Sequence, residues 1–189
     1  MKENQLWEKR GVSMPELNAK GYTTEDIYAL PDGQRAELID GELYMMSPPR
    51  AQHQRISLKI SRKIADYIDA HGGKCEVYQA PFAVFLFDDN KTYVEPDISV
   101  ICDPEKVDEY GCNGAPDWII EIVSPSSEHM DYMTKLFKYR AAGVREYWIV
   151  DPDRKSILVY DFEQDTMQVC SFGEKVKAGI YEDLEITID

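Results

Sequence analysis

The chain has 189 residues, 43% of them apolar and 30% charged, and its 21 bases stand against 35 acids for a net charge of −14. That length is one domain with a single core, and the composition excludes a disordered or membrane-spanning chain. The overall charge argues against a general polyanion binder. Yet two windows, 50–63 and 134–145, hold Arg50, Arg55, Lys59, Arg62, Lys63, Lys135, Lys138, Arg140 and Arg145 with no acid among them.

The first residues, MKENQLWEKRG, are charged and lack an apolar run, so no secretory signal is expected, a cytoplasmic location is the default, and residues 1–22 read as a loose arm. TTEDIYALPDG predicts a short helix with Thr23 or Thr24 as N-cap, acids in its first turn and Pro31 as its stop. In AELI-DG-ELYMM, Asp40-Gly41 marks a hairpin, because a type I′ turn needs positive φ at both central residues. From about residue 50, Ile56, Ile60, Ile64 and Ile68 recur every four residues. This spacing predicts a helix ending near His71-Gly72-Gly73, with Arg55, Lys59 and Arg62 beside the apolar stripe.

EVYQAPFAVFLF and TYVEPDISVI, joined by Asp88-Asp89-Asn90, read as two strands around a tight turn. DWIIEIVS reads as a strand buried on both faces, which makes the charge of Glu121 anomalous. A helix over about 128–142, stopped by Gly143, leads to EYWIVD, and a right-handed crossover sets that strand parallel to DWIIEIVS. SILVY, TMQVC and LEITI predict further antiparallel strands. Cys75, Cys102, Cys112 and Cys170 stand singly, so reduced, packed thiols are expected and a zinc site is disfavoured.

Asp97, after Pro96, and Glu121 lie on strands close in sequence. If these pair, two carboxylates approach each other, and a divalent cation relieves the repulsion. The carbonyl of Ile122 could add a third oxygen, and oxygen-only ligation suits Mg²⁺ or Mn²⁺. Lys135, four residues after Asp131, could then orient or deprotonate a water. The competing reading is a structural ion pair of Glu121 with Lys135 or Arg140. No nucleotide-binding glycine motif and no nucleophile elbow occurs.

The run ELIDGELYMMSPP, the EPDISVI strand, EIVSPSS, the Asp131-x-x-x-Lys135 pair and AAGVREYWIVDP occur in that order from about residue 36. Together they resemble the Uma-two family of endonucleases, within the PD-(D/E)xK superfamily. The resemblance implies one restriction-endonuclease-like domain over residues 1–189. Its α/β fold is an α/β/α sandwich around a central mixed sheet, with the N-terminal hairpin and C-terminal antiparallel strands added. It implies Asp97 and Glu121 as metal-binding acids, a Mg²⁺ or Mn²⁺ cofactor, and phosphodiester hydrolysis in nucleic acid, DNA in first place. Cleavage of both strands points to a homodimer.

Two departures from the superfamily pattern follow. The lysine expected two residues after the second acid is replaced by Val123, so its role passes to Lys135, or to Lys138 as second choice, or the site is inactive. The superfamily's acid on the first core helix is missing from residues 50–63, where His53 is expected to stand in; Gln79 and Glu42 are weaker candidates. Arg55, Lys59, Arg62 and Lys138 are expected to contact phosphates. The alternative is a catalytically inactive nuclease fold that serves as a binding or assembly module.

Overall fold

The computed structural model describes residues 21–125 and 127–189; the arm expected over 1–22 lies, apart from its last two residues, outside them. Thr24–Tyr28 forms α1. Its N-cap is Thr23, whose N–H and hydroxyl donate to Asp26 Oδ2 at 2.8 and 3.2 Å, closing a capping box. Next, β1 (Ala36–Ile39) and β2 (Glu42–Met45) pair antiparallel. Between them Asp40 and Gly41 have φ of 53° and 81°, the left-handed values that the hairpin turn requires.

The isoleucine repeat forms α2 (Ala51–Ala70), which buries Ile56, Ile60, Ile64 and Ile68 as one stripe. It is followed by β3 (Glu76–Gln79), β4 (Val84–Phe85), β5 (Ile98–Ile101), β6 (Cys112–Asn113) and β7 (Trp118–Ile122). A π-helical segment, Met130–Lys135, runs directly into α3 (Leu136–Ala142). The chain then forms β8 (Glu146–Asp151), β9 (Ser156–Asp161), β10 (Thr166–Ser171), β11 (Lys175–Lys177) and β12 (Glu185–Thr187).

Six strands make the central sheet in the order β10-β9-β8-β7-β5-β3. All neighbours are antiparallel except β7 and β8, the parallel pair that the strand–helix–strand reading expects. Successive side chains of a strand face opposite ways, and this alternation divides the core. Trp118, Ile120, Ile122, Trp148 and Val150 pack with the α2 isoleucines, joined by Val176 and Ile186 of the C-terminal strands. Ile119, Tyr147 and Ile149 pack on the opposite face with Tyr139 of α3. Helices on both faces of a mixed sheet are the sandwich that the resemblance implies.

The hairpin expected between residues 76 and 101 is present but interrupted: β3 pairs antiparallel with β5 and Val84 bridges Val94, while β4 also pairs parallel with β6 outside the central sheet. Pro81 follows β3, and a proline has no N–H to extend the ladder. LEITI supplies an antiparallel strand as expected, outside the central sheet. Its Glu185–Thr187 pairs with β11 in a short ribbon that covers the sheet beside α2. Finally, Cys75 and Cys102 are not free thiols but are bonded as a disulfide; β3 and β5 are neighbours, which brings the two cysteines at their ends together. Cys112 and Cys170 are free, as expected.

The isoleucine stripe generates a stability prediction. Ile64 is fully buried between α2 and the sheet, so Ile64→Ala should cost about 2–5 kcal/mol, read as a lower urea midpoint with an unchanged slope.

Candidate active site

The position of Glu121 follows from strand parity. Trp118, Ile120 and Ile122 face α2, which turns Ile119 and Glu121 toward α3. There the Glu121 carboxylate is buried and its Oε1 accepts from Tyr139 OH at 2.7 Å and from Lys135 Nζ at 2.9 Å. Lys135, only 4% exposed, also meets Glu37 of β1 at 2.8 Å and stands 3.7 Å from Asp131 Oδ1. One ammonium thus serves three carboxylates.

The titration of this cluster is set by burial. Burial holds the Glu121 carboxyl well above its ordinary range; Lys135 opposes that shift, and Asp131, Asp97 and Glu37 add to it. Asp131 is pushed up to about 6 by burial, against Lys135 and a hydrogen bond from Ser127. For Lys135, burial alone would favour the neutral amine, but Glu121, Glu37 and Asp131 hold its pKa well above the ordinary value. These acids favour its charged form, the form that orients a group or offsets negative charge.

Asp97 lies just before β5 and beside the end of β7. The paired register of these strands runs from Val100 opposite Trp118 to Ile98 opposite Ile120. Beyond it, backbone donors turn to side chains: Ile122 N–H donates to Asp97 Oδ2 at 2.7 Å, and Asp97 N–H donates to Glu121 Oε2 at 3.3 Å. The two acids named from sequence are therefore adjacent: Glu121 accepts from the Asp97 backbone, and Asp97 from the backbone of Ile122 beside Glu121. His53, in the first turn of α2, places Nε2 3.0 Å from Asp97 Oδ2. Burial would lower its pKa, but Asp97, the Ile122 backbone and Asp131 together raise it.

His53 also lines an open recess formed with Arg50, Gln52, Val123, Ser124, Pro125, Pro152 and Asp153. It lies beyond the carboxyl ends of β7 and β8, and a neighbouring recess extends it to Glu128, Asp151 and Arg154. Arg35, Arg140, Arg145 and Arg154 are ion-paired. The other described arginines, Arg50, Arg55 and Arg62, have no ion-pair partner among the described residues, and all three belong to α2 or its N-cap.

The remaining sequence candidates fall elsewhere. Lys59 is exposed and pairs with Asp189 at 2.6 Å, and Lys138 pairs with Asp40 over the Phe87 ring. Gln79 donates to Ser57 at 2.8 Å, one turn of α2 from His53. Glu42 is not at the site: it is exposed and accepts from Tyr44 at 2.8 Å, because it stands at the turn end of the hairpin. The hairpin acid that does reach the site is Glu37, opposite Tyr44. Its signal was an acid enclosed by Ala36 and Leu38 in a short strand. Tyr139, which carried no signal apart from its helical spacing of four from Lys135, was also missed.

Among the described residues, no three His, Cys, Asp or Glu side chains are grouped to hold a metal ion. The donor chemistry nevertheless fits a hard cation. Asp97, Glu121 and Asp131 outnumber Lys135 and His53, and the buried Asp131 Oδ1 has no hydrogen-bond partner. Oxygen donors in negative excess suit Mg²⁺ or Mn²⁺.

A mixed sheet between two helical layers is the restriction-endonuclease-like fold. The crystal structure described as "a putative nuclease belonging to DUF820 from Anabaena variabilis ATCC 29413" shares this fold. It matches with a TM-score of 0.67 and 23% identity over 84% of this chain and 89% of that one. A protein of Synechocystis sp. (strain ATCC 27184 / PCC 6803 / Kazusa), "Uncharacterized protein slr1290", is 27% identical over 133 residues, 70% of this chain and 68% of its own. The profile of the Uma2 family, described as "Putative restriction endonuclease", matches residues 24–188, and the chain belongs to that family.

Two predictions follow from the charge cluster. Lys135→Met leaves Glu37, Glu121 and Asp131 without their shared cation and should cost about 3–5 kcal/mol at pH 7. Carboxyls with raised pKa bind protons more tightly in the folded state, so the deficit should shrink at pH 5; denaturant titrations at both pH values check this. For His53 the folded pKa lies above the unfolded one. Its pair with Asp97 therefore contributes fully below the ordinary histidine value of about 6.5 and is lost as pH rises through the folded value. The Tm gap between wild type and His53→Ala should be larger at pH 5.5 than at pH 9.

Proposed function

We propose that the protein is a metal-dependent nuclease that hydrolyses phosphodiester bonds, with DNA as substrate. The observation that carries this reading is the convergence of Asp97 and Glu121, each bonded to the other's strand end, with Lys135 against Glu121. In this reading Asp97, Glu121 and the Ile122 carbonyl hold Mg²⁺ or Mn²⁺, which supplies Lewis-acid polarisation of the scissile phosphate. Lys135, as an ammonium, offsets negative charge developing at phosphorus. His53, with its raised pKa, gives or takes a proton beside Asp97. Arg50, Arg55 and Arg62, which have no ion-pair partner among the described residues, contact backbone phosphates along α2. Action on both strands by two copies about a twofold axis belongs to the same proposal.

A second reading is supported by one observation: Glu121 Oε1 is already engaged by Lys135 and Tyr139, as in a purely structural ion pair. That chain would be a nuclease fold retained as a binding or assembly module. No helix among the described residues is long and apolar enough to cross a membrane, and neither reading needs one.

Calorimetric titration of Mn²⁺ separates the two. The nuclease reading expects saturable binding in the wild type, its loss in Asp97→Ala, and Mn²⁺-dependent nicking of plasmid DNA by the wild type only. Equal weak binding in both proteins, without nicking, supports the structural pair.

A further inference from the structure

We propose that Glu37 is the positioning residue for Lys135, the carboxylate that keeps a helix-borne lysine aimed at the Asp97–Glu121 pair; this rests on the nuclease reading above. Of the three acids around the Lys135 ammonium, Glu121 belongs to the cation site itself. Asp131 lies one turn back on the same π-helical segment, and at 3.7 Å it is beyond hydrogen-bond reach. Glu37 comes from outside this strand–helix unit and meets the ammonium through both oxygens, Oε1 at 2.9 Å and Oε2 at 2.8 Å.

Glu37 is itself held. Its Oε1 accepts from Glu95 N–H at 3.0 Å, and the Glu95 side chain is gripped by Arg35 Nε at 2.8 Å and Tyr93 OH at 2.7 Å. The support therefore runs from β1 into the segment just before Pro96-Asp97 and contains no proposed metal ligand.

The requirement is physical. A lysine beside the metal acid on the same strand is directed by the sheet, but position 123 is valine. Lys135 instead reaches the site on a flexible four-carbon stem, whose freedom must be removed for precise placement. A divalent cation drawn to Glu121 competes with Lys135 for that carboxylate. Glu37 has no such competitor and preserves the placement of the ammonium.

The test compares full-length wild type, Glu37→Gln, Glu37→Asp and Glu42→Gln, the last being an exposed residue of the same hairpin outside the network. In ¹⁵N-lysine-labelled protein without metal, the Lys135 ammonium resonance, assigned by its loss in Lys135→Arg, reports hydrogen exchange. Exchange should be slow in the wild type and in Glu42→Gln, about tenfold or more faster in Glu37→Gln, and intermediate in Glu37→Asp. With Mn²⁺ and plasmid, kcat should fall about tenfold in Glu37→Gln with KM unchanged, since the lost interaction acts in the transition state.

Folded Glu37→Gln with wild-type exchange overturns the proposal. If that variant does not fold, wild-type exchange in Glu37→Asp overturns it equally. Absence of cleavage by the wild type overturns the nuclease reading alone, and the exchange comparison still decides whether Glu37 positions Lys135.

Discussion

A carboxylate in the middle of a buried strand is the constraint around which this molecule is organised. Removing an ion from water costs several kcal/mol even after relaxation, and Glu121 is placed in a strand whose other residues are all apolar and buried. The charge is tolerated because three separate elements supply it with hydrogens: the π-helical segment through Lys135, α3 through Tyr139, and the residue before β5 through the Asp97 N–H. Each of those elements is fixed in turn by the need to reach Glu121. The π-helical segment carries two buried charged residues, Asp131 and Lys135, and irregular turns of this kind recur where function displaces regular packing.

The same constraint explains how the sheet ends. Where β5 and β7 stop pairing, their free N–H groups are not left to solvent. Each is taken by the acid on the other strand. Buried backbone donors are almost always satisfied, and here satisfying them also orients two carboxylates. The same bonds satisfy the backbone and fix the two carboxylates.

Much of the architecture was legible because it follows from periodicity. The isoleucines at every fourth position, the Asp40-Gly41 turn and the apolar run around Glu121 each have one solution with low backbone cost. The anomaly of Glu121 and the nearness of Asp97 could be read for the same reason, since a charge in such a run demands a partner. What could not be read was assembled over long separations. Glu37 meets Lys135 across 98 residues, and the local mark that sets it apart from Glu42, a place between Ala36 and Leu38, does not say which distant residue it meets. The Cys75–Cys102 bond and the departure of β4 from the sheet depend likewise on which strands become neighbours. Turn signals do not settle that when Pro81 and Pro96 interrupt the ladder.

The hairpin of β1 and β2 is a sheet of its own, joined to the body by side-chain packing and a few backbone bonds such as those between Leu38 and Tyr93. Small units attached in this way open at lower free energy than the core they rest on. Lifting the hairpin would withdraw Glu37 while β5, β7 and β8 remain intact. The acid–lysine cluster is therefore complete only when a hairpin built apart from the central sheet is docked on it.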